Sequence, residues 1–266
     1  MAILQRRQDV RINYRVDGDG ETVWLLFNGD SLPLTFWDPL ATVLAAEHTV
    51  VRFDQRNAGA SAAKGEFSLL DTAADAAAVL AALQLTNVIA LGHAWGGRVA
   101  QVFARDYPHL CRALVVCGTG GQVPATVSAS VLQNLRNAAK VGDKTTWAKA
   151  LEHAFCAAEF STRQPRAFAA LTELMWPPQR SKAWWNPQIA PSASYWGQVE
   201  QPTLMIYGRQ DQFGTPANAD DLERRLGNVQ RVDIDNAGHF VIREAVAEVA
   251  AALREFVQRI GKNCVS

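Results

Sequence analysis

Three short stretches of this sequence hold residues that could do chemistry together. They are Gly92-His93-Ala94-Trp95-Gly96-Gly97, Gly208-Arg209-Gln210-Asp211, and Asn236-Ala237-Gly238-His239-Phe240. An imidazole steadied by a carboxylate is a general base, and it needs a group to deprotonate at a fixed point beside it. The first stretch has the glycine spacing of a nucleophile elbow, G-x-S-x-G, in which a strained strand-to-helix turn lifts a serine hydroxyl into the site. Here alanine, Ala94, occupies the serine position. The glycines keep their purpose, because side chains at Gly92 and Gly96 would collide with the neighbouring helix and strand. The helix that follows points its free amides at the site, where they favour developing negative charge.

Asp211 is the candidate acid. The alternative position, just after the apolar run Arg112 to Cys117, reads Gly118-Thr119-Gly120-Gly121 and offers no carboxylate. Asp233 and Asp235 flank a strand end and read as solvated. His93 reads as a packing or hydrogen-bonding residue. The chain order is thus nucleophile position 94, acid 211, base 239.

These residues need strand ends to stand on. Val23 to Phe27, Thr49 to Phe53, Asn87 to Leu91, Arg112 to Cys117, Thr203 to Tyr207 and Gln230 to Ile234 are short apolar runs separated by helix-length segments. That alternation predicts an α/β fold with a mostly parallel central sheet flanked by helices. Val10 to Val16 alternates polar and apolar, as an exposed antiparallel edge strand would. Ser68 with Asp71 predicts a capping box for a helix reaching about Gln84. Thr215-Pro216 opens another helix that Gly227 closes. Ile242, Val246, Val249, Leu253, Phe256 and Ile260 form one continuous stripe on a last helix.

The strand rhythm stops between residues 122 and 199. That segment is helical in pattern and holds Trp147, Trp176, Trp184, Trp185 and Trp196, five of the chain's eight tryptophans. It divides the chain into a first core part (1–121), a helical cap (122–199) and a second core part (200–266). One reading gives the segment its own small core. The other lays it over the sheet's carboxyl edge, with aromatic faces, Trp176, Trp184 and Trp185 among them, and His153 lining an apolar pocket for a small-molecule substrate.

Composition excludes several alternatives. The chain has 266 residues, 48% hydrophobic, with 26 basic and 26 acidic side chains and no net charge. No nucleic-acid or anionic-membrane partner is implied by that balance. No apolar run approaches the ~18–20 residues of a membrane span. The opening MAILQRRQDVRINY turns polar too soon for a signal peptide, so a cytoplasmic location is expected. Cys111, Cys117, Cys156 and Cys264 are too few and too scattered for a disulfide framework or a zinc site. Neither cofactor nor metal is expected, and oligomeric state is left open.

With those motifs in order, the chain resembles the α/β-hydrolase fold superfamily over nearly its whole length. Besides the elbow and the Asp211/His239 pair, the resemblance rests on Phe27-Asn28-Gly29-Asp30, where many members have His-Gly, and on residues 53–61, FDQRNAGAS. Trp37-Asp38-Pro39 and the Asp-Gln-Arg run are similar to 3-oxoadipate enol-lactonases and related lactonases and esterases. The resemblance implies a serine hydrolase acting on an ester or lactone. His239 would be the base, Asp211 would orient it, and the backbone amides of Trp95 and Asp30 would form the oxyanion hole. A carboxylate at Asp30 is unusual there, and Arg56 is its candidate partner.

Ala94 admits two readings. Either a catalytic serine has been deliberately replaced, giving an inactive mutant that binds without turning over, or alanine is native. In the second case the protein is a small-molecule receptor or a non-covalent lyase. The retained Asp211/His239 pair favours the first, since a receptor has no evident use for a pair that polarises a hydroxyl. Carbon–carbon bond hydrolysis is a further alternative on the same residues.

Overall fold

The computed structural model describes residues 1–30, 32–119, 123, 125–176 and 198–262. Strands β1 (Ala2–Arg7), β2 (Val10–Asp17) and β3 (Val23–Phe27) come first, followed by a 3-10 turn at Leu34–Trp37 and α1 (Asp38–Leu44). Next are β4 (Thr49–Phe53), the two-residue β5 (Ala62–Ala63), α2 (Leu69–Leu83), β6 (Val88–His93), α3 (Trp95–Asp106) and β7 (Cys111–Cys117). Among the described residues four helices precede the next strand: α4 (Ala129–Val141), α5 (Lys144–Phe155), α6 (Phe160–Arg163) and α7 (Pro165–Leu174). The chain then returns through β8 (Thr203–Gly208), α8 (Pro216–Glu223), β9 (Val229–Ile234), α9 (Val241–Glu244) and α10 (Val246–Lys262).

Among the described residues one sheet of nine strands runs β1-β2-β4-β3-β6-β7-β8-β9, with β5 paired to β2. The neighbours from β4 to β9 are parallel, while β2 pairs antiparallel with β1 and β4. Burial on both faces explains why the central strands read as unbroken apolar runs. In β3, Trp24 and Leu26 join the core that α1 and α10 cover, whereas Leu25 and Phe27 join the core under α2, α3 and α8. Among the described residues of the 122–199 segment, the buried Trp147, Leu151, Phe160 and Leu171 belong to the first of these cores rather than to a separate one.

Three expectations need correction. β2 is not the edge: β1 lies outside it, paired from Ala2↔Tyr14 to Arg7↔Val10. β1 is almost wholly exposed, so no apolar alternation announces it; its backbone ladder holds it. The last helix is broken at Ala245, whose φ of −136° lies outside the helical region, leaving α9 and α10 as separate pieces. The helix opened by Thr215 and Pro216 ends at Glu223, before Gly227. The Ser68/Asp71 capping box is present in both directions, and Gln84 closes α2 in the left-handed region.

Candidate active site

Ala94 joins β6 to α3 at φ 50°, ψ −117°, a backbone conformation that residues with a Cβ seldom adopt. Its N–H donates to the Cys117 carbonyl at 2.9 Å, and its own carbonyl accepts from Gly97 N at 3.0 Å. The flanking glycines are required by close approach. A Cβ on Gly92 would lie 2.3 Å from the Gly96 carbonyl oxygen, and one on Gly96 would lie 2.1 Å from that of Phe27. So β3, β6 and the first turn of α3 are in backbone contact, and the bend between them is forced.

At the carboxyl end of β8, Asp211 is buried and holds a turn of its own, accepting from the amides of Phe213 (2.7 Å) and Gly214 (2.9 Å). Both of its oxygens face His239 Nδ1, at 3.0 and 3.1 Å. Burial alone would raise this carboxyl. The charge and hydrogen bond of His239 and the two amides outweigh it, so Asp211 lies below the ordinary carboxylate value. His239 sits in the loop after β9, and its N–H donates to the Phe155 carbonyl of the cap at 2.7 Å.

His93 is fully buried beneath this loop. Its Nε2 lies 2.7 Å from the His239 carbonyl oxygen, which can only accept, so Nε2 carries the proton. Burial, and then the proximity of His239, push the His93 pKa down to about 3, keeping the ring neutral.

Ala94 and His239 line one cavity of about 460 Å³, shared with Gly29, Asp30 and Trp95. Asp30 and Trp95 are the residues whose amides the resemblance assigned to an oxyanion. The loop bearing Gly29 and Asp30 is fixed through Asn28. Its side-chain nitrogen donates to the carbonyls of Leu32 and Phe53, and its side-chain oxygen accepts from Trp37 Nε1 at 2.7 Å. Gln55 Nε2 donates to the Asn28 carbonyl. Two of the motifs behind the resemblance thus meet here. Their bonding required tertiary structure to see, since nothing in a strand pattern marks Asn28 or Gln55.

The far wall is aromatic. Phe155, at the end of α5, stacks on Phe213 with ring centroids 4.7 Å apart and planes 9° from parallel, and Phe213 lies 5.0 Å from the His239 ring. Neither phenylalanine was singled out above; both could have been noticed as large apolar residues near a strand's carboxyl end or in the cap.

Other expected residues fall elsewhere. His153 does not line this cavity; it lies two residues before Phe155 on α5, roughly 200° around the helix, and opens onto two separate surface depressions. Trp176 packs edge-on against Trp147, ring centroids 6.3 Å apart, and it is Met175 that reaches the cavity. Trp184 and Trp185 lie outside the described residues. Arg56 pairs with Asp75 at 2.6 Å and Asp71 at 3.5 Å on α2, not with Asp30. Among the described residues no group of His, Cys, Asp and Glu is arranged to hold a metal ion, and no helix is long and apolar enough to cross a membrane.

Against known proteins, the family model described as "alpha/beta hydrolase fold" matches residues 27–246. A poly(3-hydroxyalkanoate) depolymerase of Ectopseudomonas oleovorans is 25% identical over 97% of this chain and 92% of its own. Among solved structures, the enol-lactonase from Burkholderia xenovorans LB400 superposes with a TM-score of 0.78 at 21% identity, over 94% of this chain and 97% of that one. A thermophilic esterase from Thermogutta terrifontis superposes at 0.76 with 22% identity, covering 97% of each chain.

Proposed function

The chain belongs to the α/β-hydrolase fold family, and from that premise we propose that its site is built for acyl transfer from an ester or lactone of a mainly apolar small molecule, with serine at position 94 of the parent enzyme. The observation that carries this reading is the Asp211–His239 hydrogen bond at 3.0 Å, opening on the same cavity as the strained elbow.

In the parent, the serine oxygen attacks the substrate carbonyl carbon as its proton passes to His239 Nε2. The carbonyl electron pair moves onto oxygen, where the amides of Trp95 and Asp30 receive it. Collapse of that intermediate breaks the carbon–oxygen bond to the leaving group, which takes the proton from His239. Water then attacks the acyl-enzyme, again giving its proton to His239, and the acid departs with serine restored. Asp211, held ionised, keeps Nδ1–H pointed at itself and Nε2 free for these transfers. The stacked Phe155 and Phe213 favour an apolar acyl or alcohol group. The poly(3-hydroxyalkanoate) depolymerase and enol-lactonase similarities agree with an ester or lactone bond.

A second reading rests on Ala94 itself. If alanine is native, the same cavity encloses a ligand that it does not turn over. The test is Ala94→Ser assayed on p-nitrophenyl esters of several chain lengths and lactones of several ring sizes. Turnover that Ala94 lacks is the expected result; an Ala94→Ser protein as inert as the alanine form across the panel overturns acyl transfer. The residue encoded at position 94 of the native gene separates the two readings.

A further inference from the structure

Glu244 is a buried acid, lies five residues past His239, and takes no part in the transfers above. It is 1% exposed. Its carboxylate accepts three backbone amides: Gly238 at 3.1 Å and Phe240 at 3.1 Å, on either side of the histidine, and Ala157 at 2.7 Å, just past the end of α5 in the cap. The two segments so joined are in backbone contact. A Cβ on Gly238 would lie 2.6 Å from the Cys156 carbonyl carbon, and the His239 amide donates to Phe155.

We propose that Glu244 is a positioning residue for His239, its carboxylate clamping both amides that flank the imidazole to the cap segment carrying Phe155. This rests on the reading of His239 as the base. The geometry needs an acceptor with two oxygens and no hydrogens. Two amides share Oε2 and the third uses Oε1, so a proton or an NH₂ group on either oxygen position opposes a donor with a donor. A wholly apolar side chain would leave three buried N–H groups unsatisfied.

The clamp therefore works in its ionised form, and its surroundings set when that form is present. Burial pushes the Glu244 carboxyl up to about 7, against the pull of its three amides and of His239. From the cap, Cys156 faces it as a thiol raised by burial and by Glu244, and Glu152 is engaged by Ser161. On its own helix Arg243 turns away to the Phe36 carbonyl. Of these groups His239 is the one whose charge draws the Glu244 carboxyl down, so clamp and base are electrostatically linked.

Two measurements test this. In the unaltered chain, the amide resonances of Gly238, Phe240 and Ala157 should titrate together near neutrality, and the low-field Nδ1–H signal of His239 should be sharp at alkaline pH. Glu244→Gln should abolish the shared titration and broaden the Nδ1–H signal. In the Ala94→Ser background, Glu244→Gln should lower kcat about 10–100-fold with KM for a p-nitrophenyl ester little changed, as for a base slightly misplaced. The acid limb of its pH profile should also become a single-proton one. An unmoved Nδ1–H signal, or an unaltered kcat and pH profile, overturns the proposal. Should Ala94→Ser be inert on every substrate, acyl transfer fails while the resonances still decide the clamp. Should Glu244→Gln not fold, the titration in the unaltered chain decides it alone: separate midpoints for the three amides overturn it.

Discussion

Two buried groups beside the site titrate in opposite senses, and together they predict an unusual response of stability to acid. His93 has a folded pKa of about 3 against an ordinary 6.5. Its contribution is full above the ordinary value and is lost as pH falls from there toward 3, because the unfolded chain takes up the proton first. Glu244 has a folded pKa of about 7 against an ordinary 4.5. Its raised value favours the folded state at low pH, and that contribution is lost as pH rises through 7. Moving from about pH 7.5 to about pH 5, His93 removes ~2 kcal/mol and Glu244 adds ~2.5 kcal/mol, so the pair nearly cancels. Asp211 does not enter this window, because its depressed carboxyl loses its contribution only below the ordinary 3.8. Replacing Glu244 by Gln removes one arm of the balance. The measurement is urea unfolding followed by tryptophan fluorescence at the two pH values, for the unaltered chain and for Glu244→Gln. The variant should lose about 2–2.5 kcal/mol more than the unaltered chain on acidification, a large part of a typical 5–15 kcal/mol stability. Shifts elsewhere, such as the lowered His48, act on both proteins and drop out of the difference. Parallel losses in the two proteins would refute the assignment of a raised pKa to Glu244.

In the Ala94→Ser background, Asp211→Asn should lower kcat roughly 10⁴-fold with substrate binding retained, since the amide favours the wrong imidazole tautomer; single-turnover kinetics with a p-nitrophenyl ester reads this. Asp75→Asn should destabilise by up to about 3–5 kcal/mol in urea unfolding, because it takes from the buried Arg56 its nearer partner at 2.6 Å and leaves only the half-exposed Asp71 at 3.5 Å. Ala94→Gly should stabilise by ~1 kcal/mol in the same assay, glycine tolerating φ 50° without a Cβ penalty.

Most of the strands were legible because burial on both faces turns a parallel strand into a continuous apolar run, as in β3 and the Val88–Leu91 part of β6, and in β4 and β7 a single arginine interrupts it. The elbow was legible because backbone contact admits only glycine at 92 and 96, so the constraint is written into residue type. Asp211 and His239 were legible through their places at strand ends. What escaped is bonding between segments far apart in sequence. Arg56 could be named as a cation wanting a partner, but α2, not the loop with Asp30, supplies one. Asn28, Trp37 and Gln55 come together only when β3 and β4 lie side by side. Glu244 left one trace: it is an acid at the end of the buried run Phe240, Val241, Ile242, and a lone carboxylate there needs donors. The helix break at Ala245 left none, since the apolar stripe passes through it in phase.

Ala94 ties these threads together. Its conformation costs a residue with a Cβ on the order of 1–3 kcal/mol, and it persists only because the surroundings over-determine it. The Cys117 carbonyl fixes its amide, Gly97 fixes its carbonyl, and β3 leaves the first turn of α3 no other course. None of these contacts involves a side chain at position 94. The bend is therefore indifferent to whether that side chain carries a hydroxyl, and replacing serine by alanine removes an attacking atom without moving the place from which it would attack. The converse follows for the imidazole. Asp211, the Phe155 carbonyl, His93 and, through the neighbouring amides, Glu244 hold the His239 segment without help from position 94. A site assembled from two halves, each fixed by its own backbone, keeps its shape whichever side chain stands at position 94, which is why Ala94→Ser alone is the decisive test of the proposed acyl transfer.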